Sequence, residues 1–111
     1  MGIAIFAALL YGQVIRANDL LTGSPERGES VYRTYCVNCH GSAGHGDGPV
    51  ADSLTPRPAD LTTAMVQNKT EKELLMIIRN GKAGTSMPSW KGELSDQHIQ
   101  DVLAYVRWFK R

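Results

Sequence analysis

The chain has 111 residues, 42% of them hydrophobic, and a formal net charge of +1. That length holds one domain and little else, and so balanced a charge argues against nucleic acid as a partner, because neutralising phosphates takes a sizeable basic patch. Two cysteines in all leave no disulfide framework to shore up so small a core.

In chain order, residues 3–11 read Ile-Ala-Ile-Phe-Ala-Ala-Leu-Leu-Tyr, followed by Gly12-Gln13-Val14-Ile15 and then Arg16. The run has the character of an export or anchoring segment. As a helix, residues 1–15 would reach only about 22 Å at about 1.5 Å per residue, against about 30 Å of membrane hydrocarbon. The usual basic n-region is lacking, and Ile15 and Ala17 stand where a cleavage site wants two small residues. Three readings stay open: a short helix packed on a membrane partner, the end of a longer anchor, or an uncleaved signal; the flanks favour the first two. Residues 17–24, Ala-Asn-Asp-Leu-Leu-Thr-Gly-Ser, make a polar, turn-rich linker. The chain is thus expected to divide into an N-terminal segment and linker, 1–24, and a folded domain, 25–111.

Ser24 is a good N-cap, Pro25 suits the first helical position and Glu26 puts negative charge in the first turn, which predicts a helix to about Tyr35. Gly28 and Tyr32 lie four apart on one face of it, flanked by Val31 and Tyr35. A glycine in such aromatic company lets another backbone come close.

Next comes Cys36-Val37-Asn38-Cys39-His40, which uses both cysteines. Two thiols separated by two residues reach both vinyl groups of one porphyrin, and the adjacent imidazole then lies under the iron, so the motif reads as a covalent haem c site with His40 as proximal ligand. A disulfide redox motif would want a strand-helix-strand setting that the flanks do not offer. A zinc site would want four ligands, and of further candidates only His45 lies near. Haem attached at Cys36 and Cys39 would supply much of the core that a chain of this size lacks, so the haem-free form is expected to fold poorly.

Gly41-Ser42-Ala43-Gly44-His45-Gly46-Asp47-Gly48-Pro49 is too glycine-rich for a helix or strand and reads as a loop wrapped close to the porphyrin edge. A phosphate-cradling loop would sit between a strand and a helix start, and neither flanks it. Pro49, nine residues past His40, is placed to aim a backbone carbonyl at the imidazole Nδ1–H. His45 reads as a solvent-facing loop residue. Prolines 56 and 58 hold residues 54–62 extended, and Arg57 between them either pairs with a haem propionate through its planar fork or is simply exposed. Thr63 to Gln67 predicts a short helix.

Thr70-Glu71-Lys72-Glu73 is a capping box and Asn80-Gly81 a stop, which predicts a helix between them with Leu74, Ile77 and Ile78 inward and Leu75 and Met76 filling its flanks as core. The loop Gly81 to Trp90 differs. Pro88 holds Met87 on extended, exposed-looking chain, where a thioether has little to do unless something binds it. Met87 lies 47 positions beyond His40, enough chain to return over the other haem face, and His/Met ligation gives a redox centre of raised potential. Met65 is the weaker rival. Trp90 either packs on the haem with its N–H toward a propionate or fills core. Ser95 caps a last helix, Asp96 to about Lys110, with Ile99, Val102, Leu103, Val106 and Phe109 inward and His98 outward; Arg107, Lys110 and Arg111 suit the negative end of its dipole. Between 57 and 93 six cations face four acids, which gives either a mildly positive haem side or an ordinary solvated surface.

Together the Cys-x-x-Cys-His motif after a helix bearing Gly28 and Tyr32, the Met87-Pro88 loop and the closing helix with Val102-Leu103-Ala104-Tyr105 resemble the class I cytochrome c family over residues 25–111. The Gly-x-Gly-Asp-Gly-Pro and Arg-Pro-Ala-Asp-Leu segments look most like the monohaem subunits and domains of bacterial respiratory complexes, including the alternative complex III type. The resemblance implies an all-α fold wrapped around one haem, with the first and last helices crossing near Gly28 and Tyr105. It also implies iron held by His40 and Met87, and Pro49 as the carbonyl partner of His40. The expected function is one-electron transfer between redox-protein partners, without a small-molecule substrate, in or beside a membrane respiratory or photosynthetic complex on the extracytoplasmic side. The alternative is a haem enzyme or gas sensor in which Met87 leaves the iron open.

Overall fold

A computed structural model of the chain describes residues 22–110. Five α-helices are described: α1 (Pro25–Tyr35), α2 (Val37–His40), α3 (Ala64–Gln67), α4 (Glu71–Asn80) and α5 (Asp96–Val106). Single 3₁₀ turns at Ala51–Ser53 and Arg107–Phe109 complete the set. The apolar run 3–15 and the linker up to residue 21 lie outside the described residues, as does Arg111. Among the described residues no helix is long and apolar enough to cross a membrane.

Each long helix starts where the sequence places its cap. The Ser24 hydroxyl accepts from Arg27 N at 3.3 Å, Thr70 from Glu73 N at 3.1 Å and Ser95 from His98 N at 3.0 Å, each satisfying a first-turn N–H that has no partner within its helix. Gly81, at φ 75°, closes α4, a backbone region that glycine enters without steric cost.

The core forms where α1 crosses α5. A β-carbon at Gly28 would run into the Asp101 carbonyl oxygen and stand 3.0 Å from Tyr105 Cβ, so the glycine sets how closely the two helices approach. Around the crossing, Tyr32, Tyr105 and Phe109 meet edge-on or tilted at centroid distances of 5.2 to 5.3 Å. Tyr32, Ile99, Val102 and Leu103 are each under 2% exposed, and burying a side chain of this size contributes about 1.5–3 kcal/mol. A smaller cluster of Val66, Leu74 and Leu103 joins α3 and α4 to α5.

Asp101 is 1% exposed on the inner side of α5. Its carboxylate accepts from Ser24 N at 2.8 Å, Arg27 Nε at 3.0 Å, Arg27 Nη2 at 3.1 Å and Gln97 Nε2 at 3.0 Å, tying the start of α1 to α5. Burial pushes this carboxyl up, but the Arg27, Ser24 and Gln97 donors outweigh it and hold it below the usual carboxylate range. A folded-state value below the unfolded one adds stability that is present above the unfolded value of about 3.9 and lost as pH falls through the folded one. We expect Asp101→Asn to lower unfolding free energy at neutral pH by on the order of 2 kcal/mol, less than for a fully buried pair because Arg27 is 45% exposed. It should also flatten the loss of stability below about pH 4. Denaturant titrations across that range check both.

Two elements depart from the expectation. Met76 is 47% exposed rather than core, because it lies two residues, about 200°, around the helix from buried Leu74. The last helix ends at Val106 and gives way to the 3₁₀ turn, and the Arg107 side chain is engaged elsewhere: Nε meets Glu71 Oε1 at 2.7 Å, Nη1 donates to Gln67 O at 2.9 Å and Nη2 to Lys69 O at 2.8 Å. The guanidinium satisfies carbonyls of the turn between α3 and α4 and fastens that turn to the C-terminus. Buried Gln67 adds to the tie, its Nε2 donating to Leu61 O at 2.7 Å and Val106 O at 3.1 Å.

Candidate haem site

The chain passes from α1 into α2 with scarcely a break. Cys36 N donates to Tyr32 O at 2.8 Å, His40 N to Cys36 O at 2.9 Å and Gly41 N to Val37 O at 2.9 Å. Winding residues 36–40 as helix places Cys36, Cys39 and His40 at i, i+3 and i+4, on one face. Both thiols are free and half-buried. Burial, reinforced by Cys39, pushes the Cys36 thiol up to about 12, the opposite of the depressed value that a thiol–disulfide exchange centre needs. Among the described residues no three His, Cys, Asp or Glu side chains are grouped as a metal site, so a zinc reading has no full ligand set there.

His40 Nδ1 lies 3.1 Å from the Ala59 carbonyl oxygen. A carbonyl only accepts, so this contact assigns the ring proton to Nδ1 and leaves the Nε2 lone pair for a metal. Burial lowers the His40 pKa, partly offset by that hydrogen bond, which favours the neutral ring that a metal binds. The carbonyl partner is therefore Ala59 and not Pro49. Pro49 is exposed and leads the chain from Gly48 into the turn at Ala51–Ser53. Gly46 and Gly48 explain the substitution: a β-carbon at Gly46 would stand 2.5 Å from Pro58 O, and one at Gly48 would strike the Asn38 carbonyl. The glycine loop thus lies flat between α2 and the returning segment 58–62. Leu61 N donates to Gly44 O at 2.6 Å and Gly46 N to His40 O at 2.8 Å, which delivers the Ala59 carbonyl to the imidazole.

The loop that carries Met87 is equally constrained. Lys82 N donates to Met87 O at 3.2 Å, Met87 N to Thr85 Oγ1 at 3.1 Å and Ser89 Oγ to Arg79 O at 2.6 Å. Trp90 N reaches back to Ile78 O at 3.2 Å. The segment 81–90 is folded onto the end of α4, and Met87 is half-buried within it. The Trp90 ring stands edge-on to Tyr35 at 5.3 Å, which links the Met87 loop to the last residue before Cys36. The sequence places Tyr35 on the flank of the Gly28 and Tyr32 face without tying it to the Met87 loop, and its position next to the motif is the signal for that contact. Arg57 pairs with Asp52 on the exposed surface, away from the buried residues of the site. Met65 is 81% exposed.

Whether haem fits can be judged from the side chains present. Cys36, Val37, Leu61, Leu75, Ile78 and Trp90 are partly buried and packed against the main core. An apolar plane tethered at residues 36 and 39 therefore has apolar side chains to lie on, with a nitrogen ligand of fixed tautomer beside the tether.

A family model described as cytochrome c oxidase, cbb3-type, subunit III matches residues 23–106. The chain belongs to this cytochrome c family. The cbb3-type cytochrome c oxidase subunit FixP of Bradyrhizobium diazoefficiens is 32% identical over 94 residues, covering 78% of this chain and 30% of FixP. Cytochrome c6 of Leptolyngbya boryana is 34% identical over 79 residues, covering 71% of this chain and 85% of its own. Among solved structures, a chain of the Kuenenia stuttgartiensis reducing HAO-like protein complex superposes with a TM-score of 0.70 at 25% identity, over 80% of this chain and 44% of that one. The chain thus spans under a third of FixP and most of a cytochrome c6. As a class I cytochrome c it carries one covalently attached haem c and transfers electrons, and the two cysteines match the attachment chemistry of the family.

Proposed function

We propose that this cytochrome shuttles single electrons through a haem c bonded to Cys36 and Cys39 and ligated by His40 and Met87, as a subunit of, or tethered beside, a membrane respiratory or photosynthetic complex. The observation that carries the reading is the 36–40 turn, where both thiols share a face with an imidazole whose Nδ1 is committed to Ala59 O. Haem c so ligated supplies a one-electron ferric/ferrous couple of raised potential. The chain's part is to exclude water with the Tyr32, Tyr105 and Phe109 cluster, to hold Met87 on a loop braced by Thr85 and Ser89, and to keep His40 in one tautomer. Trp90, partly buried and edge-on to Tyr35, adds to the surroundings; a propionate contact for Arg57 requires it to leave Asp52.

Attachment of haem c outside the cytoplasm puts this domain on the extracytoplasmic side, with donor and acceptor proteins docking transiently over a small interface. The apolar residues 3–15 and the linker to 24 suit a contact with membrane subunits. FixP, by name an oxidase subunit, supports such a setting.

The test is whether denatured polypeptide keeps its haem. Wild-type protein matured with a haem-attachment system should carry haem through denaturing electrophoresis, Cys36→Ala with Cys39→Ala should carry none, and retention by that double variant would overturn the reading. Purifying the full chain in mild detergent should bring partner subunits along with the haem band, and a chain lacking residues 1–24 should lose them.

A further inference from the structure

We propose that His45 and Asp60 act as a positioning pair for the iron ligand, clamping the glycine loop to the segment that presents the Ala59 carbonyl to His40 and so tuning the haem potential. The inference rests on His40 ligating haem. His45 Nδ1 lies 3.5 Å from Asp60 Oδ2. The other carboxylate oxygen of Asp60 accepts from Thr62 N at 2.9 Å and Thr62 Oγ1 at 2.7 Å, and its carbonyl accepts from Thr63 Oγ1 at 2.9 Å. One acid thus locks the turn that follows Ala59 and, through its free oxygen, reaches across to the loop that leaves His40.

Ala59 sits at the hub of this arrangement. The Leu61 N to Gly44 O bond at 2.6 Å holds one side of the contact between loop and segment, and the His45–Asp60 pair holds the neighbouring position on both segments. Gly44 and Gly46 flank His45 at φ 80° and 75°, so this stretch has little stiffness of its own. The pair is half exposed, with side chains 46% and 38% accessible, and exposed pairs add little to global stability. What it controls is local: the distance from the Ala59 carbonyl to His40 Nδ1. A carbonyl held close to Nδ1–H raises the basicity of the ligand, which favours ferric iron and lowers the potential.

The sign of one substitution separates positioning from simple electrostatics. Removing the His45 side chain takes away a positive charge or none, which by charge alone lowers the potential or leaves it unchanged. Loosening the Ala59 contact raises it. In holo-protein, His45→Ala should shift the ferrous/ferric ratio at a given applied potential by about three- to tenfold toward ferrous, roughly 30–60 mV at 59 mV per decade for one electron. Exchange of the His40 ring N–H with solvent, followed by NMR of the ferrous form, should speed up, with the melting temperature little changed. His45→Asn restores an N–H donor as many bonds from Cα as Nδ1 and should return both readouts toward wild type. An unchanged or lowered potential in His45→Ala with its low-spin spectrum intact overturns the proposal, as does an equal rise in both variants with unaltered exchange. Loss of haem attachment or of His40 ligation in wild type would instead defeat the function on which the proposal stands.

Discussion

Met87→Ala should abolish the weak sulfur-to-iron charge-transfer absorption of the ferric protein and lower its midpoint potential by a few tenths of a volt, out of the roughly 0.8 V that axial ligation spans. A thioether raises the potential of a haem that histidine holds on its other face, and its loss leaves the iron to water or a harder ligand. The loop should survive the change, because it is braced by main-chain bonds and by Thr85 and Ser89 rather than by the methionine side chain. Met65 and Met76 supply the comparison, at 81% and 47% exposed. Alanine at either position should leave both band and potential where they were. Near-infrared absorption and potentiometry of the three variants decide the matter; a band that survives Met87→Ala and disappears in Met65→Ala would move the ligand to Met65. A wild-type ferric protein that already lacks the band would have an iron without thioether ligation, the condition for a haem enzyme or sensor.

Gly28→Ala should lower the melting temperature of the holo-protein even though alanine is the better helix former. In an isolated helix the exchange would stabilise by about 0.8–1 kcal/mol. Here the added methyl meets the Asp101 carbonyl and crowds Tyr105 Cβ at 3.0 Å, and overpacking of a filled core costs about 1–3 kcal/mol, occasionally more. Both obstacles belong to the body of α5, so neither can swing aside as the tip of a flexible side chain would. Moving the α5 backbone at residue 101 also disturbs the carboxylate that holds Ser24 and Arg27. The crossing term should win, with a net loss of about 1–2 kcal/mol and about 4–8 °C in melting temperature for each kcal/mol in a domain this size. Thermal unfolding followed by circular dichroism reads the sign directly, and a raised melting temperature would mean that the helices are not in close contact at this point.

Much of the fold could be read from local chemistry. Ser24, Thr70 and Ser95 announce their helices because an N-cap satisfies N–H groups a few residues away, and the spacing of the two cysteines and His40 is itself the geometry of haem attachment. Gly28 beside Tyr32 signalled a close crossing. The partner of His40 was not legible in this way. Pro49 and Ala59 both follow turn-forming chain and both offer a carbonyl, and nothing local says which one comes back to the ring. Met76 failed for a related reason, since an unbroken apolar run such as Leu74 to Ile78 does not by itself say which of its members faces out.

The sequence alone determined the cofactor, the two cysteines that suit its attachment and the starts of the long helices, because each depends on residues within one turn or on a cap beside its helix. The tertiary structure decided which carbonyl meets His40, that His45 is paired with Asp60 instead of standing alone in solvent, and that Arg107 fastens the turn between α3 and α4. Those contacts join residues 15 to 40 positions apart. Contacts across such separations depend on how the loops return, and the returning path is set by close approaches at Gly46 and Gly48 that only the packed chain specifies.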